Sequence, residues 1–456
     1  AAGAALTRAP AVAGIPLAAY LSVGLLLTGG IAALPWLVAL AYDRLAPRVA
    51  QRLLPLLAVE RARRMRGSAA VAVSGVVASL ALAVALTVMV ASFRGSVARW
   101  LDAVLPADLY LRPAGGPDAE AAPFDAAFVQ QAARLPGVAR VSTLRTRSLM
   151  LDPARPPVAL IARVIDTQDA ARSLPLLGPA LPVPAGRTGV YVSEAVQALY
   201  GAQPGQGLPV LEAAFAGQGA AEPPPGRPKA GSAGAIFFVA GVWRDYARQS
   251  GALAIPEEDY VRLTGDRSVS DIALWLAPGA PEAAVQQAAR ALAAQRLGSA
   301  DAIESASTAR IRASSLRIFD RSFAVTYWLQ AVAIGIGLFG IAASFSAQVL
   351  ARRKEFGLLA HLGLTRAQVL AVVAGEGAAW TAAGALAGLL LGLAVSLVLV
   401  KVVNPQSFHW SMDLRVPWLR LGLLCGAVAA AGTLTAWLAG RAAASRDAVL
   451  AVKEDW

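Results

Sequence analysis

The sequence predicts a membrane α-helical protein of about five transmembrane helices, with an inserted α+β extracytoplasmic domain on helical stalks. Three observations predict it. Long apolar runs recur, each enough for the ~30 Å of hydrocarbon that a helix of about 20 residues crosses. A stretch of soluble-protein composition, residues 93–322, separates the second run from the third. Arginines crowd some of the short connections, the bias that marks the cytoplasmic side. The totals agree: the 456 residues are 57% hydrophobic with a net charge of +12, and the mean hydropathy is +0.55. Such a chain is too apolar for a soluble protein. A basic balance can signal nucleic acid. Here the cations sit beside apolar runs, so they read as topology signals, and the expected partner is the lipid membrane with no nucleic acid.

In order, residues 1–42 hold a leading span with Pro16 and Pro35 inside it. The chain opens on Ala1 without an initiator methionine or a signal-peptide layout, which reads as a fragment or a processed chain. Residues 43–67 set Arg44, Arg48, Arg52, Arg61, Arg63, Arg64 and Arg66 against Asp43 and Glu60, a cytoplasmic basic segment. Leu53, Leu54, Leu56 and Leu57 make it amphipathic, as in helices that lie in the interface. Residues 68–92 are a second span without a charged residue. Its helix is predicted to run on through Val97, Trp100, Leu101 and Leu105 as a stalk, until Pro106 ends it.

Residues 93–322 form the extracytoplasmic domain. Strand patterns occur at 108–112, 158–164, 189–192, 236–240 and 271–276, and helical patterns at 193–200 and 281–296. The mixture predicts an α+β domain. Glu212 to Gly234 is rich in Gly, Ala and Pro and reads as a mobile loop. Residues 302–321 read as the returning stalk, with Ile311, Leu316, Phe319 and Phe323 to one side. The third span, 323–350, has Trp328 near its outer end, where an interfacial anchor belongs.

The most informative stretch follows at 351–364. Arg352, Arg353 and Lys354 open it, and Phe356, Leu358, Leu359 and Leu362 then build an apolar stripe at helical spacing. Gly363 stops that helix, and Thr365 with Gln368 has the spacing of a capping box that starts the next. The fourth span, 365–402, would measure about 57 Å at 1.5 Å per residue, so its first turns must lie at or below the cytoplasmic interface. Gly384, Gly388 and Gly392 repeat every four residues, a pattern that lets backbones approach. It serves either a contact within the chain or a dimer seam. Glu376 is the one acid of this span, and its place near the helix start favours an interfacial ion pair with an arginine over a proton relay. An outer loop at 403–416, a fifth span at 417–441 beginning on Pro417, and a cytoplasmic tail at 442–456 complete the chain.

The residues Arg352, Arg353, Glu355, Phe356, Gly357, Leu358, Leu359, Leu362 and Gly363, followed by Thr365, Gln368, Val369 and a long glycine-bearing span, resemble the coupling segment of FtsX/MacB-type ABC transporter permeases. The sequence around Val192–Glu194, Tyr200, Gly205 and Phe238–Trp243 is similar to the periplasmic domain of the same family. The resemblance implies that 351–364 docks on a cytoplasmic ABC ATPase, which binds the ATP and Mg, while this chain holds no cofactor. It implies a multi-pass protein of the bacterial inner membrane with its large domain in the periplasm. A second permease half or a homodimer completes the unit, and a periplasmic protein is a further candidate partner. The family's usual half has four spans, so the extra leading span suggests the C-terminal half of a larger two-half permease.

Nothing in the sequence supports catalysis by the chain itself. His361 and His409 stand far apart, Cys425 is alone inside an apolar run, and no metal-ligand spacing occurs. No phosphate-cradling Gly-Lys-Ser/Thr loop is present, so ATP hydrolysis is expected in a partner. The function so predicted is a permease that couples a partner's ATP hydrolysis to motion of its outer domain, which handles an apolar or envelope substrate. The alternative is a membrane signalling protein of the same build that moves nothing and activates an envelope enzyme.

Overall fold

The computed structural model describes residues 2–10, 15–49, 66–115, 123–166, 169–217, 236–351, 355 and 363–443. Two helices open the chain, the short α1 (Ala2–Leu6) and the long α2 (Leu17–Val49). Then come α3 (Arg66–Val104), β1 (Leu109–Pro113), α4 (Ala126–Ala132), β2 (Val138–Leu149), β3 (Val158–Arg163) and β4 (Thr188–Ser193). They are followed by α5 (Glu194–Tyr200), α6 (Pro209–Gly217), β5 (Phe237–Trp243), β6 (Ala252–Pro256), α7 (Glu257–Thr264) and β7 (Asp271–Leu276). After α8 (Glu282–Leu297) and β8 (Ile303–Ser307), the chain ends in α9 (Thr308–Ala351), α10 (Arg366–Val398), α11 (Asn404–Phe408) and α12 (Trp418–Ala443). The elements fall into a helical unit of residues 1–93, 320–407 and 412–456, and a sheet unit of residues 94–319 with 408–411.

Among the described residues, five helices of the chain are long and apolar enough to cross a membrane. The core of the helical unit lines up Val73, Val76, Val77, Leu80, Val84 and Val88 of α3 with Trp380 and Ala385 of α10 and Leu421 and Val428 of α12. Close packing of α10 on α12 relies on small residues, since a Cβ on Gly377 would meet Ala436 Cβ at 2.2 Å and one on Gly432 would meet Thr381 Cγ2 at 2.1 Å. The leading helix α2 joins this core through Leu34 and Ile31, and Gly30 lies against Leu391 of α10.

The fourth apolar helix continues past its predicted end at 402, through a π-helical turn at Leu399–Val403, as far as Phe408. The reason is Pro405. A proline clashes with the carbonyl four residues back, here that of Lys401. The wider π turn relieves that clash, and the Asn404 amide accordingly donates to the Leu399 carbonyl, five residues back.

The sheet unit is built on eight strands in the order β5-β4-β6-β3-β2-β7-β1-β8. The pairs β3/β6 and β4/β5 are parallel and the others antiparallel. Strand alternation sends Leu160 to one face and Ile161 to the other. On the first face, Val196 of α5, Leu211 of α6 and Tyr260 of α7 cover β3 to β5, and Phe128 of α4 with Val285 and Ala289 of α8 cover β1, β7 and β8. On the second face, Ile165, Ala170 and Leu174 of the connection after β3 cover Tyr191, Ala240 and Ala254. Burial from both sides explains why β5 is an unbroken apolar run and why Val190, Tyr191 and Val192 follow one another in β4.

Three sequence expectations are corrected. The returning stalk starts at Thr308, not 302, because Ile303–Ser307 pair with β1 as the edge strand β8. The start of the expected loop at Glu212 is the second half of α6, and residues 218–235 lie outside the described residues. The non-helical part of the outer connection begins at His409, not 403.

Candidate functional site

The sequence placed its functional weight on the segment 351–364 before α10, on the glycine stripe and Glu376 of α10, and on the two stalks. At the start of α10, Gly363 takes φ +94°, the left-handed conformation that closes a helix. Thr365 is the N-cap: its hydroxyl accepts from the Gln368 amide at 3.3 Å, and the Gln368 side-chain oxygen accepts from the Thr365 amide at 2.8 Å. Of the predicted coupling residues, Arg352, Arg353, Phe356, Leu358, Leu359 and Leu362 lie outside the described residues. Glu355 is described and exposed.

The glycine stripe of α10 faces α3 of the same chain. A Cβ on Gly384 would meet Val73 Cγ1 at 2.4 Å, one on Gly388 would meet Leu80 Cβ at 3.1 Å, and one on Gly392 would meet Val84 Cβ at 2.6 Å and the Ala81 carbonyl at 2.7 Å. The stripe therefore serves helix packing within this chain. Glu376 sits on the same helix, buried at 5% exposure, one residue before the Gly377 contact with α12.

The stalk ends are tied where they meet the sheet. The last turn of α3 stops at Val104, two residues before Pro106. The first residue of α9, Thr308, donates its amide to the Asp108 carbonyl at 3.0 Å and its hydroxyl to the Ala107 carbonyl. One turn on, Arg312 pairs with Asp102. Trp100 has a different role from the one its spacing suggested. Its indole N–H donates to the Arg244 carbonyl at 2.9 Å, and its ring meets Tyr246 edge-on at 5.9 Å. Both partners are far along the chain, in the turn after β5, so no local pattern announces them.

The polar network of the sheet unit centres on Asp266, after α7. Burial opposes its ionisation, but the Ser268 hydroxyl and amide, the Tyr260 hydroxyl and Arg145 outweigh that and hold the carboxyl well below the usual carboxylate range. Tyr260 donates to it at 2.8 Å and Arg145 pairs with it at 3.0 Å. Nearby, the Thr143 hydroxyl donates to Glu257 at 2.8 Å. Burial also lowers the Arg163 guanidinium from its ordinary value, which the Tyr110 phenol partly offsets. Among the described residues no group of three or more His, Cys, Asp or Glu could hold a metal.

Comparison with known proteins places these features. Residues 329–448, which include α10 and its glycine stripe, match the family described as FtsX-like permease C-terminal. Over 412 residues the chain is 27% identical to a protein of Mycobacterium tuberculosis described as an uncharacterized ABC transporter permease. That match takes in 87% of this chain and 45% of the relative, so the chain spans less than half of the relative's length. The periplasmic region of MacB from Actinobacillus actinomycetemcomitans aligns at 13% identity and a TM-score of 0.31, covering 47% of this chain and 94% of that one. The extracellular domain of the noncanonic ABC-type transporter YknZ from Gram-positive bacteria aligns at 12% identity and a TM-score of 0.28, covering 43% and 98%. Over residues 329–448 the chain is thus similar to the FtsX-like permease C-terminal family, and over most of its length it is similar to an ABC transporter permease.

Proposed function

We propose that this chain is the membrane subunit of an ABC transporter in which ATP hydrolysis by a partner ATPase moves the sheet unit outside the cytoplasm. The movement acts on an apolar or envelope substrate and requires no path through the spans. The observation that carries this reading is helix continuity. Both α3 (39 residues) and α9 (44 residues) run unbroken from residues of the helical unit into residues of the sheet unit. Arg312 of α9 pairs with Asp102 of α3, Thr308 bonds to Ala107 just beyond α3, and the two helices adjoin the neighbouring strands β1 and β8. A helix transmits axial and torsional displacement because each turn is fixed by its own backbone hydrogen bonds. Residues 68–92 and 324–350 contain no charged side chain, which supports a pair of levers over a polar tunnel. The cytoplasmic input is the segment at 351–364, with the partner ATPase binding the ATP and Mg. A second permease half or a second copy completes the assembly.

The test breaks the levers. A flexible Gly-Ser insertion between Asp102 and Ala103, combined with one between Ser314 and Ser315, should leave the ATPase activity of the co-purified complex intact. It should abolish rescue of a strain deleted for the coding region. Full rescue by the doubly interrupted protein would reduce the stalks to tethers and sink the mechanism.

A further inference from the structure

The sheet unit is not confined to residues 94–319; it also contains the tetrapeptide Phe408–Ser411, which the chain reaches at the end of the fourth apolar helix and leaves before the fifth. That tetrapeptide is gripped from several directions. The Ser411 amide donates to both carboxylate oxygens of Glu194, at 3.1 Å each. The Ser411 carbonyl accepts from the Tyr246 hydroxyl at 2.9 Å. The Trp410 ring meets Tyr246 edge-on at 4.8 Å and Phe408 at 5.7 Å, and Trp410 is only 9% exposed. Tyr246 in turn touches Trp100 of the outgoing stalk.

The receiving side is rigid. Glu194 is the first residue of α5, whose N-cap Ser193 accepts from the Val196 amide at 3.3 Å and from the Ala252 amide of β6 at 2.9 Å. Tyr246 stands in a turn braced by Asp245, which is 4% exposed and takes the Ala247 amide at 2.9 Å and Arg248 at 3.0 Å. The offered side is held in an unusual conformation. His409 has φ +58°, the one non-glycine residue among those described with a positive φ. Residues with a side chain adopt that conformation uncommonly, histidine more readily than most. Beyond the tetrapeptide, the Lys401 ammonium of the π turn donates to the Met412 carbonyl at 3.1 Å, and the Arg415 amide donates to the Ser92 hydroxyl at 2.9 Å. The residues that follow the tetrapeptide are therefore fixed to the helix that brings it, through Lys401, and to α3, through Ser92.

We infer that Phe408–Ser411 is a clasp, a third mechanical input to the sheet unit through which displacement of the fourth apolar helix reaches β4, β6 and the Trp100 stalk. The contact itself stands on the geometry above; its consequence rests on the lever mechanism proposed for α3 and α9. The acceptor is a charged carboxylate, and a backbone N–H donated to a charged acceptor makes a stronger bond than one donated to a neutral one.

Hydrogen exchange on the full-length chain in lipid nanodiscs tests the contact, and the same measurement on the complex with its co-purified ATPase tests the role. Glu194→Ala should speed exchange of the Ser411 amide about tenfold or more, the loss of one charge-assisted bond, while β5 amides keep their protection. Ser411→Pro removes the donor without touching α5, so it frees the tetrapeptide even if Glu194→Ala disturbs that helix. In the complex, trapping with ATP should change the exchange of β4 and β6, and either clasp variant should reduce that change by about half. A Ser411 amide that exchanges in the wild type as fast as an open loop would overturn the clasp. An ATP-dependent change lost on stalk interruption but untouched in both clasp variants would overturn the inference and leave the lever mechanism standing. No ATP-dependent change in the wild type would overturn both.

Discussion

At the scale of single residues, the chain shows how little of a side chain's duty is written next to it. Thr365 and Gln368 were legible because a capping box is local, three residues apart, and both of its bonds form. Trp100 and Glu194 were not, because their partners lie 144 and 217 residues away. Asp266 is intermediate. Its donors Tyr260 and Ser268 are close in sequence, but Arg145 comes from β2. Its native carboxyl is held below the ordinary value of ~3.9, so the ionised form stabilises the fold above that pH. The contribution fades as the pH drops below that value towards the native one. Asp266→Asn should therefore lower the melting temperature of the full chain in detergent at pH 7 by about 2–4 °C, the shift that ~1 kcal/mol produces in a domain of this size. The gap between variant and wild type should narrow in scans at pH 3, below the unfolded value, and go on shrinking at still lower pH. An equal gap at both pH values would mean that packing, not charge, is what Asp266 supplies.

At the scale of elements, periodicity succeeded where one face or both are consistently buried. The patterns at 108–112, 158–164, 189–192, 236–240 and 271–276 are all strands, β1, β3, β4, β5 and β7. The strand β2 escaped because Arg140, Arg145 and Arg147 interrupt it and most of its residues are only partly buried. The strand β6 escaped because Ala252 and Ala254 carry no strand preference and Pro256 ends it. The strand β8, with Ser305, Ala306 and Ser307 before a helix, reads locally as that helix's first turn; only pairing with β1 makes it a strand. The glycine stripe was legible as a packing device, but its partner was not, since a four-residue repeat says that something comes close without saying what. The segment at 351–364 carries the element-scale prediction. Replacing Leu359 and Leu362 with Asp puts two charges in its apolar stripe, which should abolish co-purification of the partner ATPase while membrane insertion persists. Unchanged recovery of the ATPase would remove this segment from the interface.

At the scale of the whole molecule, the order of apolar runs was the strongest signal, because a run of some 20 apolar residues rarely serves anything but a membrane span. The ends of those helices were less legible. The leading helix runs on to Val49, into the stretch read as a separate basic segment, and the fourth extends to Phe408. Orientation is a proposal drawn from the arginine bias, and it has a direct test. A cysteine at the exposed Glu282 of α8, on a Cys425→Ala background, should react with an impermeant thiol reagent in intact spheroplasts. A cysteine at Glu355 should react only after lysis. The reverse pattern would turn the topology over.

The eight-stranded sheet is entered past Ala107 and left at Thr308, two residues in direct hydrogen-bond contact. A few residues further in, the Ala114 amide still donates to the Ala302 carbonyl at 2.8 Å. The residues between these two, 115–301, therefore leave and return at a single point. Loop-closure entropy grows only slowly with length, so a chain whose ends are already joined bears little further cost for a longer or shorter excursion. The consequence is modularity: the β1/β8 pair is a socket, and the material plugged into it can be exchanged, enlarged or trimmed while the paired stalks beneath keep their register.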